Sequence, residues 1–504
     1  MSNSGGVPRS SAAARLIRGM VSISAILALV VALPVHADTI PIMTTAPGPD
    51  DSSSGSAPAP PSTVPVSTSS PISRTTLPNG MRIVVKNEPG SPLTAVDVFV
   101  KVGGEQETPQ TAGIGNFVAE TLLASTGSRS PDVIQSEIAD LGGNVQVSRQ
   151  PDWTYISSLT VPDKFDDLMS LLSDVLKDAT FDSDAVETQR TEILGEIDNG
   201  ESSVFDRVYN NLRGDLFSDT GYGLPSLGTA RTIQRMPQEQ LLRYYREYFI
   251  PKNIVFVVVG DVDPSTAVDT ITRDMENYDP TLRGSRRKPP AQTPLPLLSA
   301  DLPAIHDYDT DLDEICVMAG FRAPSMASTD YPAIQVMNAL LGGMKTSRLF
   351  TSMREDQGLS YDLGSFYSPQ LYSGDLTVYA FAAPQHFDPA TKKSAGTLGT
   401  IRDQILQQIA DFQAKPPTNL ELERAKHYLI GSYKIKHERI EDRATFLGIA
   451  ELTSSEGAQA DIDYPDAINA VTLADVERVA GKYLVHPVIS TIEPDPRNGG
   501  VESE

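Results

Sequence analysis

One cysteine, Cys316, stands in 504 residues. A disulfide framework needs pairs, and a thiolate zinc site needs at least two neighbouring sulfurs, so neither is available within one chain. Histidine is scarce too: His36, His306, His386, His427, His437 and His486, with none between the first two. Positive charge is short, 41 Lys+Arg against 65 Asp+Glu, giving a formal net charge of −24. So acidic a surface repels nucleic-acid phosphates and anionic lipid, leaving peptides, cations or other proteins as partners. Long apolar runs are also lacking. The uncharged stretch Met20–Val35 stops short of the ~20 residues a spanning helix needs, and Pro34 sits at its end. What remains is ordinary globular material, 40% hydrophobic and 21% charged, enough for two or three domains at roughly 100–200 residues each.

Arg9, Arg15 and Arg18 precede the apolar run, and Val35-His36-Ala37 follows with compact residues where a signal peptidase reads. Residues 1–37 therefore read as a cleaved secretory signal and the protein as exported and periplasmic, in preference to extracellular or membrane-anchored. No cysteine follows the run, so lipid attachment there is not available. Residues 38–71 are Pro, Ser, Thr, Ala and Gly with almost no large apolar side chain, a disordered tether. Residues 496–504 read as a disordered tail.

Between them, residues 72–277 and 301–495 read as two units of one plan. In the first, Asn79-Gly80 is a hairpin turn between β-branched runs. Ala95–Val102 alternates as a half-buried strand. Ser130-Pro131 opens a helix carrying Ile134, Ile138 and Leu141 and ending at Gly142. Phe165, Leu168, Leu172, Val175 and Leu176 form another apolar stripe. In the second, Ile315–Phe321 reads as a strand, Tyr331–Leu341 as a helix, Arg348–Asp356 as a short helix, and a strand follows from Ser360. Leu473–Ile492 echoes Gln240–Val259 at an offset of about 235. Residues 278–300, basic and rich in proline, read as the interdomain linker. Strands and helices mixed within each half predict an α+β fold built by duplication.

The ordered stretches Thr76-Leu77-Pro78-Asn79-Gly80, Ala112-Gly113-Ile114-Gly115-Asn116-Phe117, Glu192-Ile193-Leu194-Gly195-Glu196-Ile197 and Leu227-Gly228-Thr229 belong together. With Leu341-Gly342-Gly343, Ser347-Arg348-Leu349-Phe350 and Arg354-Glu355-Asp356-Gln357-Gly358-Leu359-Ser360-Tyr361, they resemble the pitrilysin/insulinase peptidases, which include the mitochondrial processing peptidase. The resemblance spans about residues 74–494. It implies two tandem homologous α/β-roll domains of the mitochondrial-processing-peptidase-like metallohydrolase type, forming a clam-like half chamber. Active members of the family carry His-x-x-Glu-His on a helix: two histidines one turn apart hold zinc, and the glutamate is the general base. Here Asn116 and Glu120 stand at the histidine positions, Ala119 at the base, and Glu196 at the third ligand. An asparagine amide is a poor zinc ligand and alanine accepts no proton. With no histidine from 37 to 305, no shift of register restores the motif. A weak oxygen-liganded cation at Glu120 and Glu196 is a lesser reading. The ordinary one makes Asn116 and Glu120 polar residues lining a wet cavity, and Glu196 a solvated glutamate beside the Val186/Ile193/Ile197 stripe.

The resemblance also implies that Arg354 and Tyr361 match an arginine–tyrosine pair that reaches the bound peptide near the carbonyl under attack. A phenol O–H and a guanidinium are donors that strengthen as an oxyanion develops. A purely structural reading gives instead a helix arginine paired with Glu355 or Asp356 and a half-buried strand tyrosine. His427 and His437 read as exposed on one long helix between Leu420 and Phe446, His306, His386 and His486 as loop residues, and Cys316 as a core hydrophobe. The resulting expectation is a subunit that binds no zinc itself and pairs with a zinc-bearing homologous subunit as a heterodimer. It supplies Arg354 and Tyr361 to the cleavage of unfolded peptides. The alternatives are a catalytically inactive peptide-binding or scaffold protein and, last, a self-sufficient hydrolase using other groups.

Overall fold

The computed structural model describes Ile72–Met275 apart from residues 202 and 219, then residues 278, 295–298, 305–310, 314–382 and 398–494. The expected signal, tether and tail, His386 and most of the 278–300 stretch lie outside these residues. Ile72 onward clusters as one compact unit, and within it two sheets form.

β1 (Ile72–Thr76) and β2 (Arg82–Asn87) pair antiparallel around the Asn79-Gly80 turn. Asn79 Oδ1 accepts the Met81 N–H at 3.1 Å, and Gly80 takes φ +88°, open to glycine without strain. β3 (Thr94–Val100), β4 (Asn144–Arg149), β5 (Thr154–Thr160) and β6 (Ile254–Gly260) complete the first sheet in the order β1-β2-β6-β3-β5-β4. The second sheet contains β7 (Ile305–Thr310), β8 (Ile315–Ala323), β9 (Leu363–Pro369), β10 (Gly374–Ala382) and β11 (Val488–Pro494), in the order β7-β11-β8-β10-β9. Without β1 the two orders correspond strand for strand, and each sheet has one parallel pair, β2 with β6 and β7 with β11. The duplication expected from the sequence is present in the topology.

In the first half, α1 (Ile114–Thr121), α2 (Pro131–Asp140), α3 (Phe165–Asp178) and α4 (Ser183–Glu201) accompany one face of the sheet. The α3 stripe is buried as its period required. Ser130 stands at the N-cap of α2 without a side-chain capping bond, and Gly142 follows at φ +67°. β3 corrects an expectation. Every residue of it is buried, not alternate ones. Val96, Val98 and Val100 face the helices of their own half, while Ala95 and Phe99 face a helix from the other half.

That helix is α8. The second half runs through α6 (Tyr331–Asn338) and α7 (Asn419–Lys436) to α8 (Ile440–Thr453). Ile440, Ala444 and Leu447 of α8 cover the outer face of the first sheet. Reciprocally, α5 (Val204–Leu216) of the first half lays Val208, Leu212 and Leu216 on Cys316, Met318, Val488 and Ile492 of the second sheet. Each sheet is thus sealed by a helix borrowed from the other half. The expected long helix from Leu420 to Phe446 is broken between Lys436 and Ile440, because α8 must leave its own half to reach its place.

Candidate functional site

Asn116, Ala119 and Glu120, expected as positions of a degenerate motif, lie on α1. Gly113, at φ +88°, turns the chain into the helix, and the buried Glu107 carboxylate accepts the N–H groups of Gly113 at 2.8 Å and Gly115 at 3.2 Å. Arg149 Nη2 donates to the same carboxylate at 3.1 Å. Burial pushes the Glu107 carboxyl up; the Arg149 charge and the backbone donors oppose it. A Cβ on Gly115 would stand 2.9 Å from Glu107 Oε1 and 3.0 Å from the Tyr244 hydroxyl, so the helix start admits no larger residue there. Gly113 and Gly228 meet backbone to backbone, which brings the Ala112–Gly115 and Leu227–Thr229 stretches together.

Asn116 does not line a wet cavity: it is 8% exposed, and its Nδ2 is buried without a partner. Ala119 is buried beside it. Glu120, one turn on, reaches the surface, yet the packed atoms about its stem desolvate it. With Glu196 and Glu192 adding like charge, its carboxyl is pushed up to about 7. Glu196, on α4, is half-buried rather than fully solvated, and desolvation followed by Glu192 raises it in turn. The structure thus brings Glu120 and Glu196 into electrostatic reach of one another. The donor set does not fit zinc. It holds no imidazole or thiolate, its amide is buried with an unspent donor, and Ala119 offers no base. Among the described residues no group of three or more His, Cys, Asp or Glu is placed to hold a metal ion.

The second half presents a different constellation. A wide π-type turn runs from Phe350 to Asp356, and Gly358 follows at φ +64°. The Leu359 N–H returns to the Met353 carbonyl at 2.8 Å, closing the loop on itself. Arg354 pairs with neither Glu355 nor Asp356. Its Nη1 donates to the Tyr361 carbonyl oxygen at 3.0 Å, and its guanidinium lies 4.8 Å from the Phe350 ring centroid and 5.8 Å from that of Tyr361. Tyr361 is not on the strand, which begins at Leu363, and it is 76% exposed. It is a large aromatic held out to solvent beside a cation. Within Ser347-Arg348-Leu349-Phe350, the resemblance alone does not distinguish Phe350 from its neighbours. A phenylalanine four residues before an arginine in a helical segment is the signal that marks it.

The histidines part ways. His427 is exposed, and His486 sits in a loop at φ +52°. His306 lies on β7, not in a loop, with Nδ1 3.5 Å from Asp215. His437 is not exposed: its ring stacks on Tyr433 and Phe446, and Nε2 meets Asp461 at 3.0 Å at the break between α7 and α8. Cys316 is buried within β8, where desolvation raises its thiol far above the ordinary range.

Most of the chain is similar to known proteins. Residues 82–230 match the family model described as insulinase, peptidase family M16, and residues 235–429 match the peptidase M16 inactive domain. The uncharacterized zinc protease YmxG of Bacillus subtilis is 26% identical over 417 residues, covering 81% of this chain and 94% of that protein. The uncharacterized zinc protease SCO5738 of Streptomyces coelicolor is 28% identical, covering 84% and 90%. Among solved structures, a protease from Helicobacter pylori superposes with a TM-score of 0.75 at 18% identity, covering 84% of this chain and all of that one. A peptidase M16 inactive domain from Pseudomonas fluorescens gives 0.74 at 19% identity, covering 84% and 98%.

Proposed function

The chain belongs to the insulinase peptidase family M16, and from that premise we propose that it is the zinc-less subunit of a two-chain peptidase. A homologous partner brings the metal and the general base. This chain brings Arg354 and Tyr361 to an extended peptide bound between the two. The observation that carries the reading is the Arg354–Tyr361 pair: eight residues closed into one loop, with a phenol and a guanidinium presented together at the surface. As the scissile carbonyl turns into an oxyanion, a phenol O–H and fixed guanidinium donors stabilise the developing charge, and Arg354 has four of its five N–H groups beyond the one spent on Tyr361. Asn116, Ala119, Glu120 and Glu196 take no part in the chemistry.

The test is reconstitution with a zinc-bearing homologue. Either Arg354→Ala or Tyr361→Phe is expected to slow peptide cleavage by about 10²–10³-fold. Full-rate cleavage by a pair carrying both substitutions would overturn the subunit reading. The buried, unpartnered Asn116 amide and the missing base at Ala119 also suit a second reading, a peptide-binding scaffold that has left catalysis altogether. That reading expects peptide binding with no turnover in any pairing. We further place the protein outside the cytoplasm on the basic-then-apolar segment 1–37. N-terminal sequencing of the mature protein should begin at Asp38, and a retained Met1 would refute export by a cleaved signal.

A further inference from the structure

We infer that Phe350 is the positioning residue of this site: its ring is the platform that sets Arg354, and through Arg354 it sets Tyr361. The inference rests on the functional reading above for its catalytic consequence and on geometry alone for the platform itself.

The π-type turn from Phe350 to Asp356 is wider than an α-helical one and places the Arg354 guanidinium against the face of Phe350 at 4.8 Å. Phe350 is partly buried and packs against the hydrophobic core of its half, which restricts the orientations open to its ring. Among the described residues Arg354 has no carboxylate partner; its hydrogen bond there goes to a backbone carbonyl. A long cationic side chain near the surface with that single anchor would otherwise sample many rotamers. The aromatic face restricts it while leaving its N–H groups uncommitted, which a carboxylate would not. The guanidinium so placed then ties down the Tyr361 carbonyl and lies over the Tyr361 ring, 5.8 Å from its centroid. Order therefore passes from the core to Phe350, from Phe350 to Arg354, and from Arg354 to the exposed tyrosine. An aliphatic residue at 350 would fill the core contact and lose the platform.

The test has two arms. In the isolated full chain labelled with ¹⁵N-arginine, the Arg354 Nε–Hε resonance, identified by its loss in Arg354→Ala, is expected to carry the ring-current shift of a group over an aromatic face. Phe350→Leu should move it to the position of exposed arginines, and Phe350→Tyr should restore it. In the reconstituted pair, Phe350→Leu should lower kcat about tenfold with little change in KM, and Phe350→Tyr should recover it. An unmoved resonance in Phe350→Leu, or a tyrosine variant that behaves as the leucine one, overturns the inference. Should Arg354→Ala leave cleavage at full rate while the resonance responds as stated, the catalytic reading fails and the platform stands.

Discussion

Three acids whose carboxyls the fold pushes up show how residue environment outruns residue type. Asp97, on β3, is surrounded by protein; desolvation raises it to about 8 against the donors Thr445 and Tyr155, at 3.0 and 3.1 Å, which pull the other way. Asp375, on β10, is raised to about 6 for the same first reason, with the Tyr209 hydroxyl at 3.2 Å. Glu120 is the third. For an acid raised in the folded state, the fold prefers the proton, so stability is greatest below the unfolded pKa and declines as pH rises through the folded one. Asp97→Asn should therefore match the wild type near pH 4 and exceed it increasingly toward pH 8. Thermal melts across that range check it, and a constant gap would refute the buried, protonated state. Gly115→Ala is a second test at this scale. Its methyl group meets Glu107 and Tyr244, and a loss of about 1–3 kcal/mol in denaturant melts is expected.

Between elements, the exchanged helices repeat one another with a twist. Tyr209 and Thr445 are each the sixth residue of their helices, and each hydrogen-bonds a buried aspartate of the opposite sheet. Three residues on stand Leu212 and Gly448. A Cβ on Gly448 would lie 2.0 Å from the Phe99 ring; a Cβ on Gly320 would lie 2.8 Å from Leu216 and 2.9 Å from Leu212. Phe99 and Gly320 are the sixth residues of corresponding strands. The knob is on the strand in one half and on the helix in the other. Neither helix could serve the wrong sheet: Leu212 against Phe99 would clash, and Gly448 against Gly320 would leave a void. Gly448→Leu should destabilise by more than Leu212→Ala, for which about 2–5 kcal/mol is expected from the cavity left. Denaturant unfolding of the two variants checks the order.

For the whole molecule, reciprocal sealing means that neither half has a complete core without the other. Trp153, the sole tryptophan, is buried against Phe99 at the face covered by α8. Its fluorescence should change in the same denaturant transition as far-UV circular dichroism, and Leu212→Ala, at the opposite seam, should shift both equally. Two separate midpoints would show independent halves. Much of this was written locally. Hairpin turn chemistry at Asn79-Gly80, the apolar period of α3 and the repeated order of elements need only nearest neighbours in the chain. The burial of both faces of β3, the break before α8, the pairing of His437 with Asp461 and the seat of Arg354 on Phe350 depend on groups brought close only by folding. Periodicity records that a face is apolar or polar; it does not record which distant helix will cover it. Residue types alone thus determined the fold class, while tertiary packing decided which polar groups lost their water and which cation was given an aromatic floor.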